Sequence, residues 1–189
     1  LRKSNPSHEA LSGRPILALG VLLLLLLPTP AAHATPLEAN LDDIKVAYLY
    51  RLLEFVQWPE REPPLVREIC TLGNSSIDPL LPEIAGKVSG RSQVIAHPCR
   101  TSEALKRCHL LYVPERLDAA ATQLLQQADS STTLIVRDES AAEEKGHIFF
   151  HYRDRRLRLS INLSHVEQSE LRISARLLQV VQRIGGETP

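Results

Sequence analysis

The sequence predicts an α/β fold: a single domain on a mixed, mostly parallel sheet, flanked by helices on both faces, with a C-terminal antiparallel hairpin. Three observations predict it. Between Val66 and Gly146, short apolar runs alternate with helical segments, the pattern of βαβ units feeding a parallel sheet. From His147 to Leu163 the apolar period becomes two on both sides of a charged turn, the pattern of a hairpin. The chain has 189 residues and no repeat or low-complexity stretch after Ala34, enough for one domain with a sizeable core.

The first element is a leader rather than part of the fold. Arg2, Lys3 and Arg14 precede an apolar run from Ile16 to Leu27, which Pro28 and Pro30 break, and Ala32-His33-Ala34 has the small-x-small form of a signal peptidase site. Such a run rises only about 18 Å as a helix, short of a bilayer core of about 30 Å. Residues 1–34 are therefore expected to be a signal peptide cleaved after Ala34, leaving 35–189 as an exported, soluble α/β domain. The leader holds three of the 22 basic and one of the 22 acidic residues, so the remainder carries 19 and 21, a net charge of −2. That balance argues against nucleic-acid binding, which needs a basic surface.

A helix follows. Asn40 is a good N-cap, with Asp42 and Asp43 in the first turn, and Pro59 is expected to end the helix by forcing Trp58 out of helical geometry. Leu41, Ile44, Tyr48, Leu52 and Phe55 fall on one stripe, and Val46, Leu49, Leu53 and Val56 widen it. Only Lys45 and Asp42 interrupt this arc of about 200°, which is wider than one core face needs. One cover is the sheet; the other is a neighbouring element, a second copy of the chain or a partner. Tyr50, Arg51 and Glu54 on the polar side, with Trp58 at the helix end, are the candidate partner-binding residues.

"VREICTLG" is the first strand, "SSIDPLLPEIAGK" a short Ser-capped helix, "SQVIAHPC" the second strand and "TSEALKR" a helical turn or two. "CHLLYVP" is the third strand, "LDAAATQLLQQA" a helix, "STTLIVRD" the fourth strand, and "ESAAEEKG" a short helix with a glycine stop. "HIFFHY" and "LRLSINL" form the hairpin, placed at one edge of the sheet, and an amphipathic helix from Ala175 presents Leu177, Val180, Val181 and Ile184 on one face.

Chemical constellations are sparse. "LGNSS", Leu72 to Ser76, could offer backbone N–H groups to an anion, but there is no G-x-G-x-x-G and no Walker lysine, and a plain turn accounts for it. His147 and His151 share a strand face about 13 Å apart, too far for one metal ion. His109 and Cys108 point to opposite faces. Neither G-x-S-x-G nor H-E-x-x-H occurs, so no catalytic residue, metal or cofactor is expected, and the protein is read as a non-enzyme. Arg153, Arg155, Arg156 and Arg158 crowd the hairpin tip, and Arg158, Arg172 and Arg176 are a candidate basic set for an acidic ligand. Without a C-x-x-C, the three cysteines suggest neither a thioredoxin motif nor a zinc ribbon. In the 2-1-3 strand order of a doubly wound sheet, the first and third strands are neighbours, which predicts a Cys70–Cys108 disulfide with Cys99 free. A Cys99–Cys108 bond would instead mean that the second strand ends beside the start of the third.

"VAYLYRLLEFVQWP", "ICTLGNSSIDPLL", "CHLLYVP" and "GHIFFHYRDRRLRLSINLSHVEQSELRISARLLQV" resemble, in order and spacing, the YfiR family of small exported proteins. The resemblance covers about residues 40–184. Its most specific parts are the Tyr-x-x-x-x-Phe-x-x-Trp-Pro helix end and the I-N-L…I-S-x-x-L-L tail. Gly146 stands alone where a glycine pair is common, and Leu159 stands where an aromatic is common. The resemblance implies a periplasmic regulator that represses an inner-membrane diguanylate cyclase by binding its periplasmic sensor domain. It also implies an outer-membrane lipoprotein that sequesters the repressor, with cyclic di-GMP and biofilm growth rising on release. A homodimer is a further expected assembly. The alternative is a periplasmic small-ligand sensor using the crevices near Gly73 and the Arg158, Arg172 and Arg176 set.

Overall fold

In a computed structural model, the structure describes residues 36–138, 145–154 and 156–184. The expected leader, most of the expected "ESAAEEKG" helix and Arg155 lie outside the described residues. The first element is helix α1, Pro36–Phe55. It begins before the expected Asn40 cap and ends before Trp58. The reason for the early end is a competing partner: β1, Val56–Gln57, pairs antiparallel with β9, Arg172–Ile173, and the Ser174 N–H donates to the Phe55 carbonyl at 2.8 Å. Backbone groups that a further helical turn would have used are taken by this two-stranded ribbon.

The large sheet is built from β2 (Val66–Leu72), β3 (Val88–Ser89), β4 (Ser92–Cys99), β5 (Leu110–Val113), β6 (Leu134–Asp138), β7 (Ile148–Arg153), β8 (Arg156–Asn162) and β10 (Gln182–Ile184). Its order is β10-β8-β7-β6-β5-β2-β4-β3. Strands β4, β2, β5, β6 and β7 run parallel to one another, which fits the expected 2-1-3 order of the first three. The β7–β8 and β3–β4 pairs are antiparallel, as is the separate β1–β9 ribbon, so the sheet is mixed and the mostly parallel expectation is qualified. Short turns impose this: a connection as tight as Gly90-Arg91 cannot carry the chain back for a parallel pairing, and Gly90 at φ +59° allows the turn.

Two further expectations are corrected. The C-terminal helix, α5 (Ala175–Val180), is short, and the chain then runs as β10 parallel to β8. The hairpin is therefore not at the sheet edge. The segment "SSIDPLLPEIAGK" forms a 3-10 helix, Asp78–Glu83, without a serine cap. Pro79 and Pro82 each lack an N–H, so an α-helical ladder cannot run through it. Short helices α2 (Ser102–Leu105) and α3 (Ala119–Leu125) are capped by Thr101 and Asp118, and α4 (Leu163–Glu167) by Asn162.

Alternation along the strands makes two apolar layers. Ile69, Val94, Leu110, Tyr112, Leu134, Val136, Ile148, Phe150 and Ile161 pack with α1 on one face. Cys70, Leu72, Cys99, Leu111, Val113 and Ile135 pack with Leu105 of α2 and Ala121 and Leu124 of α3 on the other. The expected bridge is present: Cys70 and Cys108 are disulfide-bonded with Cα atoms 5.9 Å apart, and Cys99 is a free, buried thiol.

The two strand histidines are structural. His151 Nε2 meets Ser160 Oγ at 2.6 Å, and His147 Nδ1 accepts the Ile135 N–H at 3.0 Å. His147 is fully enclosed, and burial, with the neighbouring His165 ring second, lowers its pKa to about 4. Its neutral form is thus the folded form. Stability from this site is complete above an unfolded pKa of about 6.5 and is lost as pH falls from there towards 4, by roughly 3 kcal/mol. Urea unfolding across that window should show the loss. His147→Leu should be weaker at neutral pH, because the Ile135 N–H loses its acceptor, yet have a flatter pH profile.

Candidate interaction surface and clefts

Helix α1 meets the sheet through the widened flank of the expected arc rather than through its Ile44–Tyr48 edge. Lys45, Val46, Leu49, Leu52 and Leu53 are buried, as is Val56 of β1, whereas Ile44 and Tyr48 are 38% and 37% exposed. Lys45 belongs in the core because its charge is met there: Nζ lies 2.6 Å from Asp138 Oδ2 and 3.6 Å from Asp42 Oδ1. The Tyr112 hydroxyl donates to the same Asp138 oxygen at 2.8 Å, and burial, with Asp138 second, holds that phenol protonated. The outer face of α1 therefore carries Ile44 and Tyr48 together with charged residues.

The candidate partner residues divide. Arg51 and Glu54 are exposed and form an i,i+3 ion pair at 3.2 Å. Tyr50 is half-buried and tied down, its hydroxyl donating to the Val88 carbonyl at 2.6 Å with Lys87 Nζ 5.7 Å from its ring. Trp58 is 9% exposed; its Nε1–H donates to the His109 carbonyl at 3.3 Å, and the Arg67 guanidinium stacks 4.3 Å over the ring. Its indole is largely buried and closes the end of α1. Substitutions separate the two kinds of residue. Arg51→Glu and Glu54→Lys should change unfolding free energy by no more than about 0.5 kcal/mol. Trp58→Ala should lose about 3 kcal/mol in the same urea titration.

The three candidate ligand arginines stand on three elements. Arg158 is exposed on β8 and pairs with Asp154 at 3.6 Å. Arg172 lies in the β1–β9 ribbon and lines a cleft with Gln57, Trp58 and Glu170. Arg176 is exposed on α5. The crevice near Gly73, about 250 Å³, is lined by Asn74, Arg100, Ser102 and Asp118 and by none of those three. Its arginine, Arg100, is engaged with Asp78 at 3.1 Å. Asp78 also accepts from the Thr71 hydroxyl and, at 3.5 Å, from the Ser75 N–H. A carboxylate already occupies the loop's N–H face, so "LGNSS" is a turn. Gly73 sits there at φ +63°, and a Cβ on it would come 3.2 Å from Ala121 Cβ.

A larger cleft, about 800 Å³, opens at the amino ends of β2, β5 and β6, with Trp58, Glu60, Glu68, Arg107, Cys108 and His109 among its lining residues. Glu68 is its hub: Oε2 lies 3.0 Å from His97 Nε2, Oε1 lies 3.4 Å from Arg107 Nε, and its N–H donates to His109 Nδ1 at 3.1 Å. Burial, with Arg67 second, lowers the His109 pKa, so this ring acts as a neutral acceptor. Glu68, Cys70 and His97 place ligand atoms within 4.8 Å of one another. Sequence reading missed this cluster, since its members come from two strands, β2 and β4, and the segment before β5; the period-two match of Glu68 and Cys70 on one face was the available signal.

A mixed α/β domain with a disulfide between neighbouring strands and a charged, partly apolar outer helix defines the class of protein. Its family is settled by comparison: the YfiR/HmsC-like family model (DUF4154) matches residues 42–182, and the chain belongs to that family. No curated protein matches the chain. The family is one linked to the regulation of diguanylate cyclases. No helix among the described residues is long and apolar enough to cross a membrane.

Proposed function

We propose that this protein is a periplasmic regulator that represses an inner-membrane diguanylate cyclase by binding its periplasmic sensor domain, lowering cyclic di-GMP. The observation that carries the reading is membership of the YfiR/HmsC-like family over 42–182. The outer face of α1 supports it, because Ile44 and Tyr48 leave apolar surface beside the Arg51–Glu54 pair. Repression acts by differential binding: the regulator favours the inactive sensor and shifts its equilibrium. A shift from mostly active to mostly inactive needs about 5.5 kcal/mol of preference. Desolvated apolar contacts supply energies of that order, whereas rim charges alone supply about 1 kcal/mol or less. An outer-membrane lipoprotein that captures the regulator, or its homodimer, would release the cyclase.

The test is direct. Deleting the gene should raise cyclic di-GMP, and the wild-type chain should restore it. Folded Arg51→Glu or Glu54→Lys protein should fail to restore it and should not bind the purified sensor domain. Full repression by both variants would move the partner surface off α1. Amino-terminal sequencing of periplasmic material should begin at Thr35. A second reading, a small-ligand sensor, is favoured by the 800 Å³ cleft, which has the size of a ligand site. A molecule released on denaturing freshly purified protein would support it.

A further inference from the structure

We propose that reduction of the Cys70–Cys108 disulfide opens a binding site for one zinc-class divalent ion, ligated by Cys70, Cys108, His97 and Glu68. Glu68, Cys70 and His97 already place ligand atoms within 4.8 Å of one another, and the disulfide joins Cys108 to Cys70. Cys70 Sγ lies 3.9 Å from His97 Nε2, and His97 Nε2 lies 3.0 Å from Glu68 Oε2. In a tetrahedral zinc site, ordinary bond lengths put sulfur and nitrogen about 3.6 Å apart, nitrogen and oxygen about 3.4 Å, and two sulfurs about 3.8 Å. The first two separations are within roughly half an ångström of those values. The two sulfurs need only part, and Cα atoms 5.9 Å apart leave room for that.

The surroundings suit a metal. His97 Nδ1 lies 3.3 Å from the Pro98 carbonyl. When the ion takes Nε2, the ring proton sits on Nδ1 and the Pro98 carbonyl accepts it, the outer-shell arrangement that orients ligating histidines. Two thiolates and a carboxylate around a divalent ion leave one negative charge, and Arg107 Nε stands 3.4 Å from Glu68 Oε1 to offset it. Cys70 is fully buried, while Glu68 and Cys108 line the large cleft, which gives the ion a path.

The chemistry balances. A dithiol reductant gives two electrons and two protons to the disulfide, yielding two thiols and its own disulfide. The ion then displaces both thiol protons to solvent. Disulfide and metal are mutually exclusive, because each uses both sulfurs.

The experiment uses the 35–189 chain, reduced anaerobically with a phosphine and desalted, then titrated with Co²⁺. One equivalent should produce a sulfur-to-cobalt charge-transfer band and tetrahedral ligand-field bands, both bleached by Zn²⁺. The oxidised chain should show neither. Cys99→Ser should bind as wild type, and His97→Ala should weaken binding at least about tenfold. Where the reduced chain has unfolded, one equivalent of Zn²⁺ should restore the folded circular dichroism spectrum, and His97→Ala should not be restored. Absence of the charge-transfer band, undiminished binding by His97→Ala, or loss of binding in Cys99→Ser would overturn the proposal.

Discussion

Removing the Cys70–Cys108 bridge should lower the unfolding free energy by about 4 kcal/mol. The bridge closes a loop with a sequence separation of 38, and the chain-entropy relation assigns a loop of that length about 4 kcal/mol. The expected loss is large because the bond joins β2 to the start of β5, next to the centre of the sheet, and the whole β3–β4–α2 excursion lies inside the loop. Cys70→Ala with Cys108→Ala isolates the crosslink, since serine would bury hydroxyls among Leu72, Leu105 and Leu111. Urea midpoints of this double variant and of reduced wild type should fall together, well below oxidised wild type. Cys99→Ala should leave the response to reductant unchanged. A loss below about 1 kcal/mol would mean that the unfolded chain already holds this loop closed.

The central sheet was readable because its strands are long, apolar and separated by turn residues, so period and punctuation agree. What escaped has specific causes. Strands β1, β3, β9 and β10 are two or three residues long, and no period can be read over so few positions. Which part of the α1 arc meets the sheet was not fixed, because an apolar arc about 200° wide does not set its own phase. Lys45 looked like a break in that arc, and its partner Asp138 lies 93 residues away. The disulfide was readable because strand order alone brought two cysteines together. The Glu68–His97–Arg107 cluster was not, because a register between β2 and β4 must be known before Cys70 and His97 are seen as neighbours. Tyr50 shows the same limit, since its tie to Val88 depends on a hairpin that only tertiary packing reveals.

Lys45→Met should cost about 4 kcal/mol, although it replaces a charged helix residue by an apolar one of similar length. Lys45 is 7% exposed and joins α1 to the carboxyl end of β6 through Asp138. Methionine fills the space but leaves the partly buried Asp138 carboxylate, among the described residues, with the Tyr112 hydroxyl alone, and an uncompensated buried charge is worth about 3–5 kcal/mol. Asp138→Asn should cost less, because an amide still accepts from Tyr112 and Lys45 keeps a second carboxylate, Asp42, at 3.6 Å. Combining the two should recover about 2 kcal/mol relative to the sum, since the groups form one network. Measured additivity would instead show that water already screens the pair. The same variants address how α1 presents its outer face. If the Lys45–Asp138 contact sets the helix phase, Lys45→Met should weaken sensor-domain binding even where the protein stays folded, and Lys45→Met/Asp138→Asn should restore part of it. Arg51→Glu, which leaves the phase alone, should lose binding with no such rescue, and that contrast separates the residue that aims the surface from those that make it.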